Sequence, residues 1–452
     1  MASEWAQINL GAVCRKIGSG ATPRGGSDVY LENGPYALIR SQNVYNDGFH
    51  HDGLAYIGEK HAAELGGVEV LKNDVLLNIT GDSVARACQV DPRVLPARVN
   101  QHVAIIRPDP DNLDPRFLRY FLVSPEMQAK LLSWAGSGGT RNALTKSMIE
   151  SFDVPAPEDI VEQRAIAHIL GTLDDKIELN RRMNDALEAM ARGLFKSWFV
   201  DFLPVRANME ARNRKARTQT GDPVHAKAEG RDPGLHKPLA DLFPDSFQDS
   251  ELGEIPRGWA VGTLADFASL NAETWSKNTR PDTLKYVDLS NTKWGRIDAV
   301  TTYAQEDAPS RAQRVLRPGD TIVGTVRPGN GSYALVSEAG LTGSTGFAVL
   351  HPLSKERTEF TYLAATAPEN IEALQHLADG GAYPAIRPEV VSAMLTIRPR
   401  GEVLALFSRI SEPLLASMAQ NERESRSLAA LRDTLLPKLI SCELRVVKGE
   451  GL

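Results

Sequence analysis

The chain is short of cysteine, of long apolar runs and of positive charge, and each shortage excludes something. Three cysteines in 452 residues, Cys14, Cys88 and Cys442, are odd in number, far apart and without CxxC spacing. That pattern argues against a disulfide framework and against a zinc site, and it points to a reducing cytoplasm. No apolar run approaches the roughly 18 residues needed to span a bilayer. The opening MASEWAQINLGAVCRKIGSG lacks the basic stretch and apolar core of a secretory signal. A formal net charge of −6 is not the basic excess of a freestanding nucleic-acid binder. Acidic and basic residues nearly balance within 1–155 and within 256–400. Weak, salt-sensitive nucleic-acid binding by the chain alone follows from that balance.

Catalytic patterns are missing too. There is no GxxxxGK[ST] phosphate loop and no GxGxxG after a strand. There is no (D/N)PP(Y/F) tetrapeptide to hold a target amine, and no HExxH or clustered His/Cys set. The adjacent His50 and His51 lack partners at ligand spacing and read as a polar loop. Thr80–Gly81–Asp82 reads as a strand-ending turn. No catalytic residue and no metal ligand is assigned, and the chain reads as a reader or a scaffold.

What is present is a repeat. A hydrophobic fraction of 42% and a charged fraction of 24% are ordinary for a globular protein, and the length fits two to four domains. WAQINLGAVCRKIGSG (5–20) is echoed by GWAVGTLADFASLNA (258–272). VLKNDVLLNITGD (70–82) is echoed by VLRPGDTIVGTVRPGN (315–330), each a turn, an Asp and a β-rich strand. NQHVAIIRPD (100–109) matches TGFAVLHPL (345–353), a strand stopped by proline. FLRYFLVSPEMQAKLLSWAGSGG (117–139) matches FTYLAATAPENIEALQHLADGG (360–381), helices broken at proline and ended at paired glycines.

The last echo is the longest. Leu173, Ile177, Asn180, Asn184, Leu187, Ala191, Leu194 and Trp198 recur at steps of four and three, the seam of a helix that packs against another helix. Laying 172–199 over 413–440 places Leu414, Met418, Asn421, Leu428, Leu435 and Leu439 on the same seam, with Ser425 over Asn184. Only Ala191 meets a charged residue, Arg432. Each helix of about 40 residues would be roughly 60 Å long. Pro155 and Pro157 precede the first, and Glu158 and Asp159 suit its positive end. Pro413 is expected to kink or interrupt the second, and Pro437 to disturb its last turn. Segment 203–257, rich in charge, Pro and Gly, reads as a solvated linker, and its cluster Arg212, Arg214, Lys215 and Arg217 as a solvated charge run or a phosphate contact.

The expected fold is therefore two α/β (mixed α+β) domains, 1–157 and 258–400, each followed by a long helix, 158–202 and 401–441, with a tail at 442–452. The two helices would form an intramolecular antiparallel coiled coil with pseudo-twofold symmetry. Equivalent residues of such a pair meet near its midpoint, so Asn180 and Asn421 are expected to face each other and fix register, or else to lie exposed at the seam's edge.

These features carry a family likeness. The segments GLFKSWFVDF (193–202), LFPDSFQDSELGEIPRGW (242–259), SGATP (19–23), the NQHVAIIRP strand and EQRAIAHIL (162–170) resemble the DNA-specificity subunit of type I restriction-modification enzymes over essentially the whole chain. The second half departs from it, with GEVLALF (401–407) in place of the EQ-type helix start, and extra residues stand around 208–225. The resemblance implies two target recognition domains, each reading one half of a split, asymmetric DNA site, and a helical spacer that sets the gap between halves. It implies a chain without catalysis or cofactor of its own. Two modification subunits would supply S-adenosylmethionine and adenine methylation, and restriction subunits would supply ATP- and Mg-dependent translocation and cleavage.

Base-reading side chains are sought among polar loop residues able to bond base edges. In the first domain these are Thr22, Arg24, Arg40, Gln42, Asn43, Arg86, Arg141, Asn142 and Lys146. In the second they are Lys277, Asn278, Arg280, Asn291, Lys293, Arg327, Asn330, Tyr333, Tyr383 and Arg387. Two rival readings stand beside this one: a divergent stand-alone DNA methyltransferase or nuclease, and a coiled-coil adaptor that does not bind DNA.

Overall fold

The structure is a computed structural model that describes residues 5–136, 143–219, 237–276, 278–378 and 384–446. The chain divides into two compact units. Unit 1 comprises 1–180 and 423–452, and unit 2 comprises 181–422.

In chain order, unit 1 opens with β1 (Ala6–Asn9), α1 (Leu10–Val13), β2 (Cys14–Ser19), β3 (Tyr36–Ile39), β4 (Val44–Tyr45), β5 (Gly48–Phe49) and β6 (Ala55–Ile57). It continues through α2 (Glu59–Glu64), β7 (Glu69–Val70), β8 (Val75–Asn78), β9 (Ala87–Gln89), β10 (Ala97–Val99) and β11 (Val103–Pro108). Then come α3 (Pro115–Val123), α4 (Pro125–Gly136), α5 (Lys146–Glu150), β12 (Asp153–Ala156) and the long α6 (Ile160–Phe199). Unit 2 follows with α7 (Leu203–Gln219), α8 (Lys237–Ala240), β13 (Phe247–Ser250), β14 (Gly253–Pro256), β15 (Ala260–Thr263), β16 (Ala268–Leu270) and β17 (Thr283–Val287). Its remaining strands are β18 (Thr292–Lys293), β19 (Arg296–Ile297), β20 (Thr301–Ala304), β21 (Ala312–Leu316), β22 (Thr321–Gly324), β23 (Tyr333–Leu335), β24 (Leu341–Ser344) and β25 (Phe347–Pro352). It closes with α9 (Thr358–Ala365), α10 (Pro368–Leu377), α11 (Pro388–Ser392), β26 (Leu395–Arg398) and the long α12 (Gly401–Ile440).

The repeat is present strand for strand. The sheet β2-β11-β8-β9 of unit 1 is answered in unit 2 by β16-β25-β22-β23. The mixed sheet β6-β3-β10-β7, with β3 and β10 parallel, is answered by β20-β17-β24-β21, with β17 and β24 parallel. The central strands are apolar on both faces because each face is covered, as the period-two alternation of a strand requires. Along β11, Ala104 and Ile106 enter one core and Val103 and Ile105 the other. Along β25, Ala348 and Leu350 part from Phe347 and Val349 in the same way.

Each domain packs on its own portion of the two long helices. In unit 1, Ile166, Ala167 and Leu170 of α6 and Leu436, Leu439 and Ile440 of α12 complete the core with Leu435 beside them. In unit 2, Ala191, Phe195, Trp198 and Phe199 join Val403, Leu404, Phe407, Leu415 and Met418, with Leu187, Leu194 and Leu414 packed against them. Leu173, Ile177 and Leu428 are half-buried. The start of α6 shows what EQRAIAHIL does. Gln163 is fully buried, donates to the Pro157 carbonyl (2.9 Å) and accepts from the Asp114 amide (2.9 Å), which ties the first turn of α6 to the cap of α3. Leu404 takes its place in the repeat and lies in an apolar core, so the second half has no use for the motif.

Three sequence expectations change. Pro413 and Pro437 do not divide the second helix, since α12 runs from Gly401 to Ile440 as one helix. Segment 203–257 is not simply a solvated linker. Its described part forms α7, α8 and the β13–β14 hairpin, and Val205, Phe243 and Ile255 are buried in the unit 2 core. Arg212 of its basic cluster pairs with Asp245 (3.2 Å) at the surface. The seam asparagines are buried, not exposed at an edge. In unit 1, Asn180 donates to Glu424 (2.8 Å) and to Ser425 (3.3 Å). In unit 2, Asn421 donates to Asn184 (2.8 Å), which itself donates to the Met418 carbonyl (3.2 Å). Ser425 is the residue that overlies Asn184 in the repeat, so each unit uses the same register.

Glu359, in the first turn of α9, is 4% exposed and its Oε2 has no hydrogen-bond partner among the described residues. Burial raises its carboxyl above the usual glutamate range despite the bond from Ser408. A raised carboxyl holds its proton longer in the folded chain, so stability falls as pH rises through and above the ordinary glutamate range. Glu359→Gln is expected to flatten that slope. Urea midpoints measured at about pH 5 and about pH 7.5 should converge in the variant relative to the unaltered chain.

Candidate nucleic-acid interface

In unit 1 four segments meet where the two sheets end. They are the loop after β2 (20–24), the turn after β3 (40–43), the turn after β8 (79–83) and the β10–β11 turn (100–102). Backbone bonds lock them together: Gly20 N to Asn100 O (3.1 Å), Asn100 N to Ile39 O (3.0 Å) and Ile79 N to His102 O (2.9 Å). The Asn78 side chain, fully buried, donates to Ser41 O (2.8 Å). Across this end runs a polar chain. Thr22 donates to Gln101 (2.5 Å), Gln101 bonds His102 Nε2 (2.8 Å), and His102 Nδ1 bonds Thr80 (2.6 Å). Arg40 and Gln42 both donate to the Gly53 carbonyl (2.5 and 3.1 Å), with the Tyr30 ring beneath the Arg40 guanidinium.

Gly20 makes this closeness possible. A Cβ there would lie 1.7 Å from Val99 O and 2.7 Å from Asn100 O. Gly20→Ala must push backbone apart and is expected to cost about 1–3 kcal/mol, as overpacking does. The loss should appear as a lower unfolding midpoint, with chemical shifts perturbed around Thr22, Asn100 and Gln101.

The other unit 1 candidates divide. Asn43 is fully buried: it accepts from Arg40 N and donates to His50 O and Asp52 O, so it shapes the turn and does not face a ligand. Arg86 lies over the Tyr45 ring (4.5 Å), which stacks on His50. Lys146 is exposed and pairs with Glu150 (3.4 Å). Arg24 is exposed, and Arg141 and Asn142 lie outside the described residues. His51 bonds Asp91 (2.9 Å) and His50 bonds Asp47 (3.2 Å).

Unit 2 builds the same end differently. The strand registers Ile39↔Val99 and Val287↔Gly343 correspond, and so do the isolated bridges Thr80↔Ala143 and Val326↔Ala385. Asp288 and Ser290 therefore stand where unit 1 has Arg40 and Gln42, and Ser344, Thr345 and Gly346 stand where it has Asn100, Gln101 and His102. This end is concave, lined by Asp288, Leu289, Ser290, Arg311, Thr325, Val326, Ser344, Thr345 and Gly346.

Among the unit 2 candidates, Asn291 is half-buried beside this hollow, its amide bonded to Asp288 (3.1 Å). Lys293, Asn330 and Arg387 are exposed on neighbouring turns. Arg327 is exposed in a left-handed backbone conformation (φ 47°), its amide bonded to Pro384 O (2.8 Å). Asn278 is exposed in a separate turn. Arg280 points inward and donates to the carbonyls of Pro309 (3.1 Å) and Ala312 (3.0 Å), which fixes the loop that carries Arg311. Tyr333 is 6% exposed and takes a bond from Arg192 (3.5 Å), so it is a core residue. Lys277 and Tyr383 lie outside the described residues.

Sequence reasoning passed over Thr80, Gln101 and His102, and in unit 2 Asp288, Ser290, Arg311, Thr325, Ser344 and Thr345. A signal existed. The residues just before VAII and FAVL are Asn100–His102 and Ser344–Gly346, and aligning the two strands marks both turns at once.

Among the described residues, no group of His, Cys, Asp and Glu is arranged to hold a metal, and no helix is long and apolar enough to cross a membrane. Comparison with known proteins agrees with this architecture. The family described as "Type I restriction modification DNA specificity domain" matches residues 2–189. The HindI type I restriction enzyme specificity subunit of Haemophilus influenzae is 25% identical, over 98% of this chain and 100% of its own. The MjaIX specificity subunit of Methanocaldococcus jannaschii is 23% identical, over 72% of this chain and 68% of its own. The crystal structure of a type I restriction-modification S subunit from M. genitalium has the same fold, with a TM-score of 0.56, 14% identity and 97% coverage of both chains. With two matching sheet-bearing domains and a long helix after each, the chain is similar along its whole length to type I restriction-modification specificity subunits, and its residues 2–189 match the model of their DNA specificity domain.

Proposed function

We propose that this chain is the non-catalytic DNA-reading subunit of a type I restriction-modification complex. Unit 1 reads one half of a bipartite, asymmetric site and unit 2 the other. One observation carries the reading: the same loop constellation is built twice on the same strand framework, with different polar side chains at equivalent positions. Arg40 and Gln42 against Asp288 and Ser290 is the arrangement needed to read two different half-sites. Near-balanced charge makes the isolated chain a weak binder, and partner subunits closing on DNA add the missing attraction. Two modification subunits bring S-adenosylmethionine, and restriction subunits bring ATP and Mg, all in the cytoplasm beside the host DNA.

The test is assembly with the modification subunits, followed by mapping of methylated adenines on DNA. A split site with two unrelated halves is expected. Methyl transfer by the pure chain alone would overturn the reading, and so would an assembled complex that methylates without sequence preference. The adaptor alternative predicts no salt-dependent DNA association once partners are added.

A further inference from the structure

We infer that the hollow in unit 2 reads a cytosine through its exocyclic amino group, with Asp288 as the acceptor. This rests on the proposed function and adds the chemical identity of one base.

The carboxylate of Asp288 is divided between two tasks. Its Oδ1 accepts from Ser290 N (2.9 Å), Ser290 Oγ (2.6 Å) and Asn291 N (3.1 Å), which fixes the side chain at the mouth of the turn. Its Oδ2 takes no donor among the described residues. An anchored carboxylate with one oxygen to spare, half-buried in a concave surface, is a preorganised acceptor. A negative charge facing DNA works against the phosphate attraction, so it needs a specific donor to be favourable. In the major groove the exocyclic amino groups of cytosine and adenine are the donors, and cytosine offers a donor without the adjacent N7 acceptor that a carboxylate would repel.

The rest of the hollow suits a G·C pair. Arg311 lines it and is anchored through its own carbonyl, which accepts from Thr345 N (2.8 Å). An exposed guanidinium on the rim of the same hollow supplies donors for the guanine acceptors of the same or the next pair. Thr325, which could serve as a donor, is turned away, its hydroxyl donating to Gly346 O (2.8 Å). At the matching place in unit 1, Arg40 and Gln42 are donors, so the two units are set for different edges.

The experiment uses the full chain assembled with its modification subunits, and compares Asp288→Ala and Asp288→Asn by methylation mapping on a randomised DNA library. Asp288→Ala is expected to cut the preference for C at one position of one half-site about tenfold or more. Asp288→Asn keeps an oxygen for the turn and puts an amide donor in place of Oδ2, so it should move the preference at that position from C toward a base with a groove acceptor. Gln101→Ala in unit 1 should act on the other half-site. A purely structural role for Asp288 predicts that both variants weaken all positions together, and that result overturns the inference. So does an unchanged site in both variants, or a change confined to an A·T pair. If the unaltered assembly shows no split site at all, the proposed function itself fails, which is a separate outcome.

Discussion

Asp174→Ala is expected to destabilise unit 1 by about 3–5 kcal/mol, the usual cost of stripping one partner from a buried ionic cluster. Asp174 lies on α6 and accepts from Arg119 of α3 (2.7 Å), from the Tyr120 hydroxyl (2.6 Å) and from Arg432 of α12 (2.7 Å). Arg119 is 5% exposed. Burial alone would raise the Asp174 carboxyl, but Arg119, Tyr120 and Arg432 together hold it below the usual aspartate range. Alanine would leave two guanidinium groups and a phenol facing each other without the acceptor. The sign with pH follows: a lowered carboxyl gives stability that is present above its unfolded value and lost as pH falls through the folded one.

The repeat supplies the control. Asp174 overlies Leu415 and Arg432 overlies Ala191, both buried in the apolar core of unit 2, and Tyr362 takes the place of Arg119. Unit 2 thus solves the same packing problem without charge. The triple variant Arg119→Tyr, Asp174→Leu, Arg432→Ala should recover most of the loss, because replacing a whole buried ion cluster by apolar groups is often neutral. Urea unfolding of the three chains checks this. A single variant no less stable than the unaltered chain would show that the cluster is solvated and weak.

Trp198→Ala should cost unit 2 about 3–5 kcal/mol, the range for removing a large aromatic side chain from a core. Trp198 is 2% exposed and meets the rings of Phe243 (4.9 Å), Phe407 (5.9 Å) and Phe199 (6.1 Å). Phe243 belongs to the segment after α6 and Phe407 to α12, so one indole joins three parts of the chain. Trp198→Phe should retain most of the stability. Hydrogen exchange of the Trp198→Ala chain should show lost protection in the described part of 203–256, since that segment is held by this cluster. A fall in the urea midpoint equivalent to less than about 1 kcal/mol would mean that the ring cluster repacks.

The sequence by itself determined the duplication, the two long helices and their seams. These are periodic signals: apolar side chains must recur at helical or strand spacing wherever a face is buried, whatever the surroundings. Strands β8, β11, β22 and β25 and the starts of α6 and α9 were legible for that reason. Only the tertiary structure decided which polar loop residues are free. Asn43 and Tyr333 have the chemistry of base readers, but turn bonds and an arginine on α6 occupy them. Asp288 and Ser344 resemble ordinary loop residues until the fold brings them into one hollow with Arg311. Tertiary structure also turned the mismatch of Ala191 with Arg432 into an exchange of an apolar pair for an ionic one. In each case the deciding contact joins residues far apart in the chain, and local spacing carries no record of such contacts.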